Sequence, residues 1–211
     1  MRKYVTEFVG TFFLVLSIGL SVIGGAALAP IAIGGTLMIM VFMGGHISGA
    51  HYNPAVSLAI LIRGKMTTND FVAYVVTQIV AAFVAAWVAM TITGGSFAPT
   101  PSATAGTMAA VSVEVLYTFA LALVVLNVAA TKATANNSFY GLAIGFTIVC
   151  GAIAGGGISG GAYNPAVGIG PNVANMMLHG GSLRHVWIYI VGPCVGSSLA
   201  ALVHQVQNPQ G

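Results

Sequence analysis

Nine charged side chains constrain this chain more than any other feature: Arg2, Lys3, Glu7, Arg63, Lys65, Asp70, Glu114, Lys132 and Arg184. The long stretches between them hold almost nothing but apolar and small residues. With 57% hydrophobic and only 4% charged residues, the chain lies far from the globular norm of about 25% charged. It reads as an integral membrane protein. A spanning helix needs about 20 apolar residues, so each gap between charges counts helices. Residues 8–62 hold two spans with length to spare, and residues 71–113 hold one span, a polar loop and the start of a fourth. Residues 115–131 complete the fourth, 133–183 hold a fifth with length again to spare, and 185–211 hold the sixth. The count is six, with a surplus of half a span in each half of the chain.

The net charge of +3 raises nucleic acid as a partner. Five of the six basic residues, however, fall at Arg2/Lys3, Arg63/Lys65 and Lys132, the connections that six spans starting inside leave on the cytoplasmic side. The charge is therefore read as topology, with no nucleic-acid partner and both termini cytoplasmic in a multi-pass protein of the plasma membrane. Arg184 is the exception. The start, Met1-Arg2-Lys3 before an apolar run ending in Ala27-Leu28-Ala29, also has the outline of a cleavable signal peptide. Glu7 inside the run, the run's length and Pro30 after the cleavage point argue against that. Cys150 and Cys194 fall in different spans and are read as packing residues.

The surplus half-spans begin at a stretch written twice. Gly44-Gly45-His46-Ile47-Ser48-Gly49-Ala50-His51-Tyr52-Asn53-Pro54-Ala55-Val56 recurs as Gly155-Gly156-Gly157-Ile158-Ser159-Gly160-Gly161-Ala162-Tyr163-Asn164-Pro165-Ala166-Val167, identical at ten of thirteen positions. Asn is a preferred N-cap and Pro suits the first helical position, so each copy starts a helix. The first half-helix, 53–62, ends at Arg63-Gly64-Lys65. The second, 164–179, contains Gly168, Gly170 and Pro171 and is expected to be less regular. The Glu7/Thr11 spacing returns at Glu114/Thr118, and Ile31-Ala32-Ile33-Gly34 returns as Leu142-Ala143-Ile144-Gly145. Three spans per half is an odd number, so the second half lies inverted. The expected fold is an all-α membrane protein of six transmembrane helices plus two half-helices, with a first repeat over 1–105 and a second over 106–211.

Inversion brings the N-termini of the two half-helices together near the membrane midplane. Irregular backbone survives at that depth only where it is packed in protein or lines a water-filled cavity. If each Asn oxygen caps its own half-helix, the Nδ2 amide is left to donate to a permeating molecule. The preceding segments, Gly45–His51 and Gly156–Ala162, are expected to be extended and to offer carbonyl acceptors. Two positive dipole ends at the centre disfavour cations, protons included.

At these residues the chain resembles the aquaporin family, the major intrinsic proteins, over nearly its whole length. The resemblance implies a right-handed bundle with one pore per subunit, a homotetramer, and a pore centre at Asn53, Pro54, Ala55, Asn164, Pro165 and Ala166. It implies an outer selectivity filter at Ile33, Ala152, Gly161 and Val167. Most members carry arginine where Val167 stands, and an ordinary water channel is expected to have an aromatic residue and a histidine at the first two filter positions. The filter here is therefore expected to be wide and apolar, passing water and small neutral solutes such as glycerol, urea or ammonia. Arg184 or a neighbouring loop is the alternative source of the missing charge. Gly168 stands where glycerol facilitators carry Asp.

Glu7 and Glu114 are intramembrane carboxylates. The resemblance makes them scaffolds for the loops before the half-helices, and the rival reading makes them the proton relay of a coupled transporter. A structural membrane protein with little permeability is a third reading. His51 occupies the family's position on the cytoplasmic side of the pore, and His179, His185 and His204 lack metal-like spacing. No nucleophile–base constellation, cofactor site or phosphate loop is present in the sequence, so an enzyme is not expected.

Overall fold

The computed structural model describes residues 1–209, so the last two residues of the expected second repeat lie outside the described residues. Eight α-helices run in order: α1 (Arg2–Ile23), α2 (Ala29–Ser48), α3 (Pro54–Ile62), α4 (Thr68–Thr93), α5 (Thr107–Ala129), α6 (Tyr140–Ser159), α7 (Pro165–His179) and α8 (Val186–Gln207). Six of them are long and apolar enough to cross a membrane. The other two, α3 and α7, are the half-helices, of 9 and 15 residues.

Packing follows the repeat. Helix α1 lies on α4 as α5 lies on α8, α1 on α2 as α5 on α6, and α2 meets α6 where the halves join. The half-helices cross over: α3 packs on α8 and α7 on α4, so each half-helix is held partly by the other half.

Two boundaries differ from the sequence reading. Helix α2 continues through Gly44-Gly45 to Ser48, and α6 through Gly155–Gly157 to Ser159, so Gly45–Ser48 and Gly156–Ser159 are helical and not extended. The carbonyls of Gly45 and Gly156 accept from Gly49 and Gly160, which end their helices in the left-handed region at φ 84° and 91°. In hydrocarbon an unpaired backbone group is costly, which favours the helix over an extended strand despite the glycines. Helix α7 is continuous in spite of Gly168, Gly170 and Pro171. Those glycines serve packing: a Cβ on Gly168 would meet Tyr189, and one on Gly170 would meet the α4 backbone at Ala82 and Phe83.

The α2–α6 crossing is equally close. A Cβ on Gly145 would lie 2.5 Å from the Gly34 carbonyl oxygen, and one on Gly34 would lie 2.5 Å from that of Gly145. Gly145→Ala is therefore expected to force α2 and α6 apart and to cost about 1–3 kcal/mol. Thermal unfolding of the detergent-solubilised protein measures it, and an unshifted midpoint counts against so tight a crossing.

On the face that carries the termini, Arg63 at the end of α3 donates from Nε to His204 Nδ1 at 2.9 Å. That leaves the His204 proton on Nε2, facing Thr131 Oγ1 at 2.7 Å, and the threonine hydroxyl donates in turn to the Leu126 carbonyl. The chain of bonds ties α3, α5 and α8 together. At the opposite face the segment joining α4 to α5 folds over α6 and α7. Ser102 N–H donates to the Ile158 carbonyl, and Asn172 donates to that of Pro99.

Candidate functional site: the central pore

Each half-helix starts as its sequence demands. Asn53 and Asn164 are extended, at φ −158° and −160°, and each side-chain oxygen accepts from the amide two residues on, Ala55 or Ala166, at 2.9 Å. Pro54 and Pro165 take the first helical position. Their amide groups are less free than the sequence suggests. Asn53 Nδ2 donates to the Tyr163 carbonyl at 2.9 Å, and Asn164 Nδ2 donates to the Tyr52 carbonyl at 2.8 Å. One N–H of each asparagine thus bridges to the opposite half, leaving one for the pore. The two half-helix N-termini are stapled together at the centre.

The loops before them hold unfavourable backbone. Ala50, Tyr52 and Tyr163 have φ of 50°, 49° and 49°, a region that costs a non-glycine residue about 1 kcal/mol or more. The buried carboxylates hold this geometry. Glu7 Oε1 accepts from Ser48 Oγ at 2.7 Å and His51 N–H at 2.9 Å, and Oε2 accepts from Tyr52 N–H at 2.7 Å and Gln78 Nε2 at 2.8 Å. Glu114 Oε1 accepts from Ser159 Oγ at 2.7 Å and Ala162 N–H at 3.0 Å, and Oε2 accepts from Tyr163 N–H at 2.6 Å. The tyrosines are tied at their far ends too, Tyr52 OH to the Met40 carbonyl and Tyr163 OH to that of Gly151. Thr11 and Thr118, which share the sequence pattern with the glutamates, are buried but make no side-chain hydrogen bond among the described residues. Their repetition belongs to helix packing and not to the loop scaffold.

Sequence reasoning missed several partners. Ser48 and Ser159 stand at matching positions of the repeated stretch, and that identity was a usable signal. Tyr74 and Tyr189 donate to the carbonyls of those serines at 2.7 and 2.5 Å. Gln78 has no sequence signal, because nothing in the second half plays its part. With Ser57 it forms a polar group around His51, whose Nδ1 lies 2.9 Å from Ser57 Oγ. His51 lines both the central cavity and a vestibule of about 560 Å³ on the face of the termini, beside the Lys3–Asp70 ion pair.

The central cavity itself encloses about 30 Å³. Since one water needs at least about 10–15 Å³ of such space, the cavity has room for about two or three waters. Its walls are repeat-related aliphatic pairs, Ile33 with Ile144, Leu37 with Ile148 and Val56 with Val167, set against Asn53, Asn164 and His51. Of the four positions expected to form the filter, Ile33, Gly161 and Val167 line the cavity. Ala152 is half-buried on α6 and is not in the lining, whereas Ile148, one turn earlier, is. Arg184 is exposed in the turn before α8 and does not line the cavity, so the charge missing at Val167 is not supplied from there. Among the described residues no group of three or more His, Cys, Asp or Glu is placed to hold a metal.

Two capped half-helices meet nose to nose over this small cavity, and the family model described as Major intrinsic protein matches residues 1–204. The chain belongs to the major intrinsic protein family. Members of that family are channels, not enzymes, and this major intrinsic protein is a transmembrane channel. It is 35% identical to a glycerol uptake facilitator protein-like 6 from Lactiplantibacillus plantarum, over the full length of both chains. It is 33% identical to aquaporin NIP1-1 of Zea mays, covering 98% of this chain and 74% of that one. An X-ray structure of the aquaglyceroporin from Plasmodium falciparum superposes with a TM-score of 0.88 over 99% of this chain and 97% of that one. At 23% identity that likeness bears on the fold alone.

Proposed function

We propose that this channel passes water and small neutral solutes through the cavity between Asn53 and Asn164, with an apolar outer filter at Ile33, Ala152, Gly161 and Val167. The observation that carries the reading is the pair of amides at the junction of the two half-helices. With His51 they are the polar side chains of a mostly aliphatic passage, so a molecule that donates and accepts hydrogen bonds can cross while an ion loses its hydration without replacement. The names of the relatives put water and glycerol on the solute list, and the sequence adds urea and ammonia.

The full hydrogen-bond sets of Glu7 and Glu114 favour scaffolding over a proton relay. We further infer repeats over 1–105 and 106–211, a homotetramer with one pore per subunit, and a plasma-membrane location with both termini cytoplasmic. Stopped-flow light scattering on proteoliposomes tests the function, and water flux well above that of protein-free liposomes is the expected result. Rates equal to those of empty vesicles would favour a structural role, and flux that follows an imposed pH gradient would favour coupled transport.

A further inference from the structure

Of the outer filter positions only Ile33 and Val167 put side-chain bulk into the cavity. Gly161 has no side chain, Ala152 does not reach the cavity, and yet the enclosed space is only about 30 Å³. One face of α2 and one of α6 wall it, together with Leu14 and Ile18 of α1 and Leu121 and Val125 of α5. Helix periodicity places Ile33, Leu37 and Val41 one turn apart on α2, and Ile144, Ile148 and Ala152 one turn apart on α6. The helices run in opposite directions and cross at Gly34/Met38 against Gly145/Val149. Three rungs result: Ile33 with Ala152 at the outer end, Leu37 with Ile148 in the middle, and Val41 with Ile144 at the inner end. The repeat exchanges the outer rung with the inner one and maps the middle rung onto itself, so Leu37 and Ile148 sit at the pseudo-two-fold axis, level with the two asparagines. It is also the rung in which both members line the cavity, since Ala152 and Val41 do not. The glycine crossing beside it holds the two backbones in contact, which fixes how far these side chains project.

We propose that size selection in this channel is set at the membrane centre by Leu37 and Ile148, and not by the outer ring of Ile33, Ala152, Gly161 and Val167. The proposal rests on the channel reading above. A solute broader than water, such as urea or glycerol, is slowed most where Leu37 and Ile148 face the asparagine amides, and it meets less resistance at the outer ring. Truncating either side chain leaves space that the structure fills only partly.

The test compares wild type, Ile148→Ala, Leu37→Ala and Ile33→Ala in proteoliposomes, measuring water, urea and glycerol permeability on the same preparations. Ile148→Ala and Leu37→Ala are expected to raise the glycerol-to-water ratio by about tenfold, in line with the discrimination that one or more methylenes provide in an apolar site. Ile148→Val, which removes one methyl group and is the least disturbing to folding, is expected to give an intermediate increase in urea and decides the matter if the alanine variants are not recovered. The proposal is overturned if Ile33→Ala raises the glycerol ratio more than Ile148→Ala does, or if Ile148→Ala and Ile148→Val conduct water with an unchanged ratio. A wild-type protein without water flux would instead overturn the channel reading itself.

Discussion

Glu7→Ala is expected to abolish water flux and to leave little folded protein, with Glu114→Ala close behind. Removing the Glu7 carboxylate orphans four buried donors: Ser48 Oγ, the amides of His51 and Tyr52, and Gln78 Nε2. Removing Glu114 orphans three: Ser159 Oγ and the amides of Ala162 and Tyr163. Each buried donor left unsatisfied costs about 1–3 kcal/mol, so either loss approaches the total stability of a typical folded domain, about 5–15 kcal/mol. The amides of Tyr52 and Tyr163 matter most, because those residues are held at φ 49° and relax once the carboxylate is gone. The carbonyls that receive the Asn53 and Asn164 amides belong to the same two tyrosines, so the centre of the pore loosens with the loops.

Glu114→Gln is milder. Its oxygen still accepts from Ser159 and Ala162, while its NH2 faces the Tyr163 donor. Intermediate flux and an intermediate thermal midpoint in detergent are therefore expected. Alanine variants that keep wild-type flux would remove the scaffold role. Glutamine variants that keep water flux but lose a pH-gradient-driven flux would restore the proton-relay reading.

The fold was readable in the sequence because lipid punishes charge so heavily. Nine charged positions and one repeated stretch were enough to place six spans, two half-helices and their inversion, since a hydrocarbon environment leaves few other ways to satisfy the backbone. The local rules failed where tertiary packing used a residue differently from its habit. Glycines at 44–45 and 155–157 look like helix breakers, but they continue α2 and α6: a side chain at Gly44 or Gly155 would collide with the hydroxyl of Tyr52 or Tyr163. Pro171 looks like an interruption and is tolerated within α7. The site was half legible. Repetition exposed Asn53, Asn164, Glu7 and Glu114, whereas Gln78 and the Ser57–His51 contact have no second copy to reveal them. Ile148 was hidden for another reason. Counting along the family pattern points to Ala152, and only the antiparallel crossing of α2 and α6 shows which turns of α6 face the cavity.

Val167→Arg is expected to lower proton and cation leak by about a hundredfold while water continues to pass. Val167 stands in the first turn of α7, buried, with its side chain in the cavity lining beside Gly161 and Ile33. The wild-type barrier to cations at this level comes from the N-terminal dipoles of α3 and α7, equivalent to about half a positive charge each. A full guanidinium charge about 5 Å from a permeating cation, at an effective dielectric constant of about 20, adds about 3 kcal/mol of repulsion. Every 1.4 kcal/mol is about a factor of ten, which gives the hundredfold figure. Room for the side chain exists on the outer side, where Ala152 and Gly161 are small, so the guanidinium is placed across the mouth and adds a donor to an apolar ring. Water gains a hydrogen-bond partner there, while urea and glycerol meet a narrower opening, so their permeability falls relative to water. Pyranine-loaded proteoliposomes read the proton leak, and light scattering reads water and solutes on the same preparation. A leak that does not change on placing this charge would mean that the two half-helix dipoles and the asparagine pair already exclude protons without help from the filter, and that the valine costs the channel nothing in ion selectivity.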